Sequence, residues 1–453
     1  MYENQAKASS SVKESEKYTL STKDEIDINI NRLMSDPVLK NANWGFVIYD
    51  PKTQKVVSAY NENEAFVPAS TTKLLTTDTA LSLLGPKFRW ITQLEYSGSL
   101  NPDGVLEGNL YIVGSGDPSL GTGKAGASNY TSLLADFVQE ISAKGIKKIT
   151  GDIIIQTAVF KENKRATLPE NIVWMEHGSY YLPVGTTRNI NPRNEKLTKK
   201  NNPFSDDKSY FYVSPYIHQL VYADKFEGEW VDTKLPDAPS YLATKLRESL
   251  IKKGIAVAGK VTPKMVDRDP ETRTLITLYR SPLLSDIVYD TNQRSDNALS
   301  ESLLRMVGFQ KQGDQTLESG RAVVTENLKQ KNFDTSALVY VDGSGLSRSH
   351  RVTPMAQARF LAGEMKESYY KDFFNSLPVA GQTGTLKKMF FGEGYGQIFA
   401  KTGTLNKVKT LAGYIKTRSG KTLTFSLLIN NYAGSVDQVK KRMEELLEPA
   451  VNL

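Results

Sequence analysis

A serine and a lysine three residues apart stand directly before a stretch with helical periodicity. Ser70 and Lys73 follow Pro68, and leucines then recur at the spacing of one buried helix face until Gly85 and Pro86. Residues three apart share a helix face, so a hydroxyl and an amine lie together in the partial positive field of the helix start. An amine there loses its proton more easily than free lysine, and a neutral lysine can activate a serine nucleophile.

The Ser-x-x-Lys spacing alone is weak evidence, because it recurs elsewhere in the chain. One copy, Ser10 with Lys13, lies in a polar tail. Another, Ser205 with Lys208, lies in a polar loop, and neither of these two copies opens an apolar helix. Serine is also a preferred N-cap residue, so a simple helix cap stays open for Ser70 at this point.

Two later motifs strengthen the interpretation of Ser70 and Lys73 as a catalytic pair. Ser295-Asp296-Asn297 lies between two helical stretches, and Lys401-Thr402-Gly403-Thr404 is predicted to open the strand that ends the sheet. The glycine permits close approach to the strand backbone. Taken alone, the Ser295 motif also fits a helix cap, and the Lys401 motif also fits a solvated strand end. Their order, at positions 70, 295 and 401, is that of the penicillin-recognising acyl-transferases.

The chain resembles the D-alanyl-D-alanine carboxypeptidases of the low-molecular-mass class C penicillin-binding proteins, peptidase family S13. The resemblance spans about Asn43 to Asn430. The long separation of Ser70 and Ser295 also fits, because these enzymes carry extra domains between the two motifs. Further similar segments are 68–73, 108–111, 116–118, 281–283, 342–347, 377–381, 384–386, 400–405 and 411–414.

The order of predicted elements favours an α+β fold with an antiparallel sheet, closed by an N-terminal hairpin and C-terminal strands. The resemblance implies a β-lactamase/transpeptidase-like domain, with helices flanking that sheet and a large β-rich insertion between the first two motifs. We expect a disordered tail at 1–23, a catalytic domain at 24–93 and 278–453, and an insertion at 94–277 of one unit or two nested subdomains. Predicted helices are 24–39, 130–145, 239–254, 283–291, 298–307, 319–331 and 435–447; predicted strands include 44–50, 56–60, 108–113, 151–156, 409–417 and 422–430; 186–208 is predicted as loop and 121–124 as a flexible turn.

The resemblance also implies a role for each matching residue of the three motifs. Ser70 Oγ would attack the carbonyl of the penultimate D-Ala, and Lys73 would accept its proton. Ser295 would pass a proton to the leaving amine with the help of Lys401, and Asn297 would hold the substrate amide.

The substrate's terminal carboxylate needs cationic and hydroxyl partners, which Lys401, Thr402 and Thr404 supply beside Gly403. The backbone N–H groups of Ser70 and Thr404 are the expected oxyanion hole. Arg348 could face a carboxylate on the peptide side chain, although an exposed loop arginine is an equally good interpretation. Gln156 departs from the family pattern, because relatives often have an acidic residue there; the resemblance therefore carries over no role in reading a diamino-acid side chain to this position.

Composition excludes several other classes of protein. The 453 residues include no Cys, which rules out a thiol nucleophile, disulfides and Cys-ligated metal. The three His form no His-x-x-x-His pair, so a zinc hydrolase is not expected. The net charge of +7 comes without a basic cluster or aromatic platform that would indicate nucleic acid. The acyl-transfer chemistry requires no cofactor and no metal.

The sequence shows neither an apolar run of transmembrane length nor a secretory signal at its start. We therefore expect either a cytosolic protein or one whose targeting segment was removed, and the resemblance favours the periplasm or another extracytoplasmic place in a bacterium. The expected partners are peptidoglycan stem peptides and β-lactam antibiotics. A serine DD-carboxypeptidase that also has endopeptidase activity is favoured; a serine β-lactamase and a non-catalytic penicillin-binding sensor or scaffold are the alternatives.

Overall fold

The computed structural model describes residues 20–157, 172–174, 180–183, 210–213, 220–222, 238–265, 271–313 and 316–453. The predicted loop at 186–208 and the Ser-x-x-Lys copies at Ser10 and Ser205 lie outside these residues. Within them the α-helices are α1 (Thr22–Met34), α2 (Lys73–Leu84), α3 (Tyr130–Ala143), α4 (Ala238–Lys252), α5 (Leu284–Arg294), α6 (Asn297–Gln312), α7 (Leu317–Gln330), α8 (Pro354–Glu364), α9 (Tyr370–Asn375) and α10 (Val436–Leu447).

The strands of the described residues fall into four sheets. They are β1 (Asn43–Asp50), β2 (Lys55–Tyr60), β3 (Ile91–Ser97), β4 (Ser99–Leu100), β5 (Val105–Glu107), β6 (Leu110–Gly114), β7 (Lys148–Ile149), β8 (Ile153–Thr157), β9 (Ile172–Trp174), β10 (Tyr180–Pro183), β11 (Tyr210–Val213), β12 (Leu220–Tyr222), β13 (Ala256–Val257), β14 (Val261–Met265), β15 (Arg273–Arg280), β16 (Ile398–Leu405), β17 (Val408–Lys416) and β18 (Thr422–Asn430).

The sheet that carries the third motif has the strand order β16-β17-β18-β1-β2, and every neighbouring pair is antiparallel. Residues of β17 and β18 are buried almost throughout, because helices cover both faces of the sheet. On one face α2, α5, α6, α7 and α8 enclose a large apolar cluster, and on the other α1 and α10 enclose a second. The predicted α+β fold, with its N-terminal hairpin and C-terminal strands in one antiparallel sheet, is confirmed.

Helix α2 lies at the centre of this domain. The leucine spacing predicts one buried face, but all residues from Lys73 to Leu81 are buried. A helix enclosed on all sides by other helices and a sheet has no solvent face. Its polar residues therefore need internal partners: Asp78 forms an ion pair with Lys331, which also reaches Glu364. Burial and the neighbouring Asp78 raise the pKa of Glu364 to about 10.

The proposed insertion contains mixed sheets, with both parallel and antiparallel strand pairs. One sheet has the order β14-β8-β6-β3-β15 and another the order β13-β7-β5-β4. The pairs β6–β8 and β8–β14 are parallel, because α3 and α4 provide the crossovers that parallel strands need. Both helices pack on the sheets in one apolar cluster. Strand β3 begins at Ile91 and its partner β15 ends at Arg280, close to the two ends of the 94–277 insertion, which stays a proposal.

Several boundaries differ from the predictions for local reasons. Helix α1 starts at Thr22, inside the predicted tail, because Ser21 and Asp24 form a capping box. It ends at Met34 rather than at residue 39, since the residue before Pro37 avoids the helical region. Helix α8 was not predicted, although Thr353 caps it and Pro354 occupies its first turn, a recognisable signal. The Lys401 motif lies within its own strand, β16, and not at the opening of the next one.

Candidate active site

Ser70 lies in a short 3₁₀ turn, Ala69–Thr72, that leads directly into α2. The expectation of a serine at the helix start therefore holds, with one refinement. Pro68 and Thr72 occupy the cap positions of the turn and the helix, and neither makes a side-chain cap bond. A capping role does not explain Ser70. Its side chain is half-buried, which leaves the hydroxyl reachable from the surface.

The Lys73 ammonium group is fully buried and has three oxygen neighbours. Its Nζ lies 3.1 Å from Ser70 Oγ, 2.8 Å from Asn297 Oδ1 and 2.6 Å from the carbonyl oxygen of Ser344. Burial lowers the pKa of Lys73 to about 8, although nearby carboxylates, Glu301 foremost, oppose the shift. A neutral amine has two N–H bonds and one lone pair. Asn297 and Ser344 can accept both N–H bonds, so the lone pair faces Ser70.

The second motif fills the break between α5 and α6. Ser295 is the C-cap of α5 with a left-handed backbone (φ 58°), and Asp296 is the N-cap of α6, where it accepts from Leu299 N. One helix ends and the next begins within two residues, and Asn297 contacts Lys73 at the start of α2. Lys401 Nζ donates to Ser295 Oγ at 2.8 Å. The three motifs that the sequence placed far apart are thus joined through Lys73 and Lys401.

Strand β16 approaches the Ser70 turn more closely than a side chain would permit. A Cβ atom on Gly403 would lie 2.9 Å from Ser70 N and 2.8 Å from Pro68 O. The glycine is therefore required for the backbone of β16 to lie against the Ser70 turn. The Lys401 side chain is fully buried, and this burial lowers its pKa well below the usual value, with Lys73 and Lys409 adding repulsion.

The loop at 342–347 supplies residues to which sequence reasoning gave no role. The Ser344 carbonyl that binds Lys73 is fixed by Glu301, which accepts from Ser344 N at 3.0 Å and from Ser344 Oγ at 2.6 Å. Asp342 accepts from the backbone of Gly345 and Ser347 and pairs with His350. Burial opposes ionisation of Asp342, but the contact with His350 lowers its pKa to about 2. Glu301 follows Asn297 by one helical turn, and that spacing is the signal that could have identified it.

Comparison with known proteins identifies the family. Residues 26–200 and 223–449 match the model of the D-Ala-D-Ala carboxypeptidase 3 (S13) family. The chain belongs to this family. It is 25% identical to the D-alanyl-D-alanine carboxypeptidase DacB of Haemophilus influenzae, over 92% of this chain and 91% of the relative. It is 27% identical to a D-alanyl-D-alanine carboxypeptidase of Actinomadura sp. strain R39, over 90% of this chain and 82% of the relative.

Solved structures agree with the fold. The crystal structure of penicillin binding protein 4 (dacB) from H. influenzae has a TM-score of 0.71 at 21% identity, and it covers 94% of this chain and 100% of that chain. A predatory peptidoglycan endopeptidase from Bdellovibrio bacteriovorus has a TM-score of 0.52 at 19% identity, with 90% and 92% covered. The prediction of a serine-type D-Ala-D-Ala carboxypeptidase of the penicillin-binding protein class is confirmed at the level of the family.

Other residues of this S13 enzyme lie where the sequence could not place them. Lys124, in the turn at 121–124, forms a 2.5 Å ion pair with Asp296, so the insertion contacts the second motif directly. The segment predicted as a flexible turn therefore contacts the second motif through Lys124. Arg348 is exposed, and its Nη1 donates to the carbonyl of Asn406 in the turn after β16. Gln156 is buried in the insertion and accepts from Arg273 at 2.7 Å.

The described residues contain no group of three or more His, Cys, Asp or Glu side chains arranged to hold a metal ion. In the same part of the chain, no helix combines the length and apolar character needed to cross a membrane.

Proposed function

We propose that this S13 enzyme removes the terminal D-Ala from peptidoglycan stem peptides through an acyl-enzyme on Ser70. In the same site it cuts cross-linked peptides as an endopeptidase and is acylated by penicillin. The observation that carries the proposal is the position of the Lys73 amine, 3.1 Å from Ser70 Oγ and bound by two acceptors. A buried lysine with a pKa near 8 is a base at neutral to mildly alkaline pH.

Acylation begins when Lys73 takes the Ser70 hydroxyl proton and Oγ attacks the carbonyl carbon of the penultimate D-Ala. Negative charge then develops on the carbonyl oxygen. The backbone N–H groups of Ser70 and Thr404 donate hydrogen bonds to that oxygen, since Gly403 permits the two segments to lie together. Two fixed donors at such a position contribute about 10²–10³ each in rate.

The leaving group needs a proton on its nitrogen. Ser295 relays the proton that Lys73 took from Ser70: its hydroxyl passes one proton to the leaving amine and regains one from Lys73, while Lys401 orients Ser295 Oγ by donating to it. Asn297 uses Oδ1 to hold Lys73, so its NH₂ group is the part that binds the substrate amide. The terminal carboxylate lies against Lys401 and the hydroxyls of Thr402 and Thr404. Water then hydrolyses the acyl-enzyme.

The comparisons support the wider parts of this proposal by analogy. A H. influenzae penicillin binding protein 4 structure is complexed with a β-lactam, and one Bdellovibrio neighbour is named a peptidoglycan endopeptidase. Because peptidoglycan lies outside the cytoplasmic membrane, the proposed place of action is the periplasm or another extracytoplasmic compartment of a bacterium. Arg348 remains a proposed contact for a carboxylate on the peptide side chain.

Release of D-Ala from a pentapeptide ending in D-Ala-D-Ala tests the proposal. Wild-type protein should release D-Ala and become covalently labelled by a fluorescent penicillin. Ser70→Ala should lose both activities and stay folded by circular dichroism. Ser132→Ala is the matched control, since Ser132 is an exposed serine near the start of α3 and far from the motifs in sequence. Labelling of Ser70→Ala at normal stoichiometry would show that the nucleophile is another residue.

A further inference from the structure

Lys409 lies on β17 directly opposite Thr404 on β16. Opposed residues of an antiparallel pair project from the same face of the sheet, so the two side chains meet. The Lys409 ammonium donates to Thr404 Oγ1 at 2.6 Å. Thr404 is exposed, whereas Lys409 is only 6% exposed. A buried cation therefore supports a hydroxyl that faces solvent at the end of the third motif.

This lysine has no anionic partner among the residues that the structure describes. Burial lowers the pKa of Lys409 to about 8, and Lys440 on α10 adds repulsion. Lys440 itself pairs with Asp437, which leaves Lys409 uncompensated. The positive charge of Lys409 also acts on Lys401, whose pKa falls further. A buried charge without a counter-ion costs stability, and an anionic ligand would offset that cost.

The contact also fixes what the Thr404 hydroxyl can do. An ammonium group only donates hydrogen bonds, so Thr404 Oγ1 is the acceptor and its own proton is free. That proton can be donated to an oxygen of a ligand. An oxygen bound in this way lies within about 5.5 Å of Lys409 Nζ, given a usual O–H···O distance of about 2.8 Å. By the proposed function the same anion lies against Lys401, so Lys409 adds a second cation near it.

The geometry points to Lys409 as a positioning residue for the substrate's terminal carboxylate, acting through the Thr404 hydroxyl and adding a second positive charge to the site. This inference rests on the proposed function, because the carboxylate is that of a D-Ala-D-Ala terminus or of a β-lactam. It assigns to β17 a part in substrate selection, whereas the family motif ends on β16 at Thr404.

Benzylpenicillin and its methyl ester are the probes, because they differ in the charge that Lys409 is inferred to recognise. Intact-protein mass spectrometry gives the acylation rate at several concentrations of each, which separates apparent binding from the maximal rate. Lys409→Met should raise the apparent binding constant for benzylpenicillin about tenfold, the low end for a charge-assisted contact, since Lys409 acts through a hydroxyl. The ester should change by less than about twofold.

Three further variants make the test specific. Lys409→Arg keeps the charge and should retain most of the binding of benzylpenicillin. Lys409→Gln lacks the charge and should behave as Lys409→Met does, which covers a folding failure of the latter. Lys416→Met is the matched control, because Lys416 lies at the other end of β17 and pairs with Thr422. Removal of a buried unpaired charge should leave the Met variant at least as stable to urea as wild type.

The pH dependence adds a measurement that a purely structural role would not change. As Lys409 loses its proton above about pH 8, the apparent binding constant of the wild type for benzylpenicillin should rise. In Lys409→Arg this rise should be smaller, since arginine stays charged. The other cations that act on Lys409 or respond to it, Lys401 and Lys440, are present in both proteins, so the difference between the profiles reports Lys409.

Equal losses for the acid and the ester in Lys409→Met and Lys409→Gln would overturn the inference, as would a loss confined to the maximal rate. Acylation of the wild type in that experiment would leave the proposed function standing. A wild type that neither probe acylates would remove the proposed function and this inference together.

Discussion

Glu301→Gln is the change that best tests how Lys73 is made into a base. Glu301 fixes the Ser344 backbone whose carbonyl binds Lys73, and among the nearby carboxylates it has the largest effect in raising the Lys73 pKa. Glutamine keeps the size of the side chain and an oxygen that can accept from Ser344. It removes the negative charge and the second acceptor oxygen, Oε2, which accepts from Gly343 N. A cation near fewer negative charges gives up its proton more easily, so the pKa of Lys73 should fall below about 8.

The size of the shift follows from the separation of the charges. Only Ser344 stands between Glu301 and the Lys73 amine. Unit charges about 6 Å apart at an effective dielectric constant of about 20 interact by about 3 kcal/mol, and one pKa unit corresponds to about 1.4 kcal/mol. Burial and the Asp342 carboxylate raise the pKa of Glu301, which reduces its mean charge. We therefore expect a fall of about one to two units in the Lys73 pKa.

The assay is the second-order rate of acylation by a fluorescent penicillin between pH 5.5 and about pH 9.5, a range that brackets the expected titration. In wild type the rate should rise with pH through the Lys73 pKa of about 8, because only the neutral amine accepts the Ser70 proton. In Glu301→Gln the midpoint should move to lower pH, while the plateau falls because a weaker base removes the proton. Glu326→Gln on the exposed side of α7 is the matched control and should leave the midpoint unchanged.

An unchanged midpoint in Glu301→Gln would refute this reasoning, because it would mean that Glu301 carries no charge that Lys73 senses. A midpoint that moves to higher pH would contradict the sign. A lower plateau at an unchanged midpoint would mean that Glu301 affects the rate only by holding the Ser344 carbonyl in place.

Two further predictions concern turnover and stability. Penicillin should remain on Ser70 as a long-lived adduct, since its leaving group stays tethered and no Glu-x-x-Leu-Asn segment lies between Lys73 and Ser295. Intact-protein mass spectrometry should show this adduct. Rapid recovery of unmodified protein, with many penicillins consumed per enzyme, would indicate a β-lactamase instead. Lys331→Met should lower the free energy of unfolding in urea by about 3 kcal/mol, because Asp78 would keep a fully buried charge without a cationic partner. The exposed Lys329→Met is its control, and a loss below about 1 kcal/mol would contradict this interpretation.

The sequence alone determined the features that depend on short-range pattern. The spacing of Ser70 and Lys73, the break between helices at Ser295 and the glycine of the Lys401 motif are local, and each required only propensity, capping or backbone freedom to interpret. The antiparallel sheet followed from its hairpin and C-terminal strands. Helices α7 and α10 lie within two residues of their predicted bounds, 319–331 and 435–447, because amphipathic periodicity marks them.

Tertiary structure alone decided the chemistry of the lysines. A lysine's pKa depends on how far it is removed from water and on which charges surround it, and neither quantity is written in neighbouring residues. Burial under α6 and the 342–347 loop lowers the pKa of Lys73, and cross-strand pairing brings Lys409 to Thr404. The parallel strands of the insertion and its Lys124 contact with Asp296 were missed for the same reason. Such contacts join residues far apart in the chain, and only the packed core brings them within hydrogen-bonding distance.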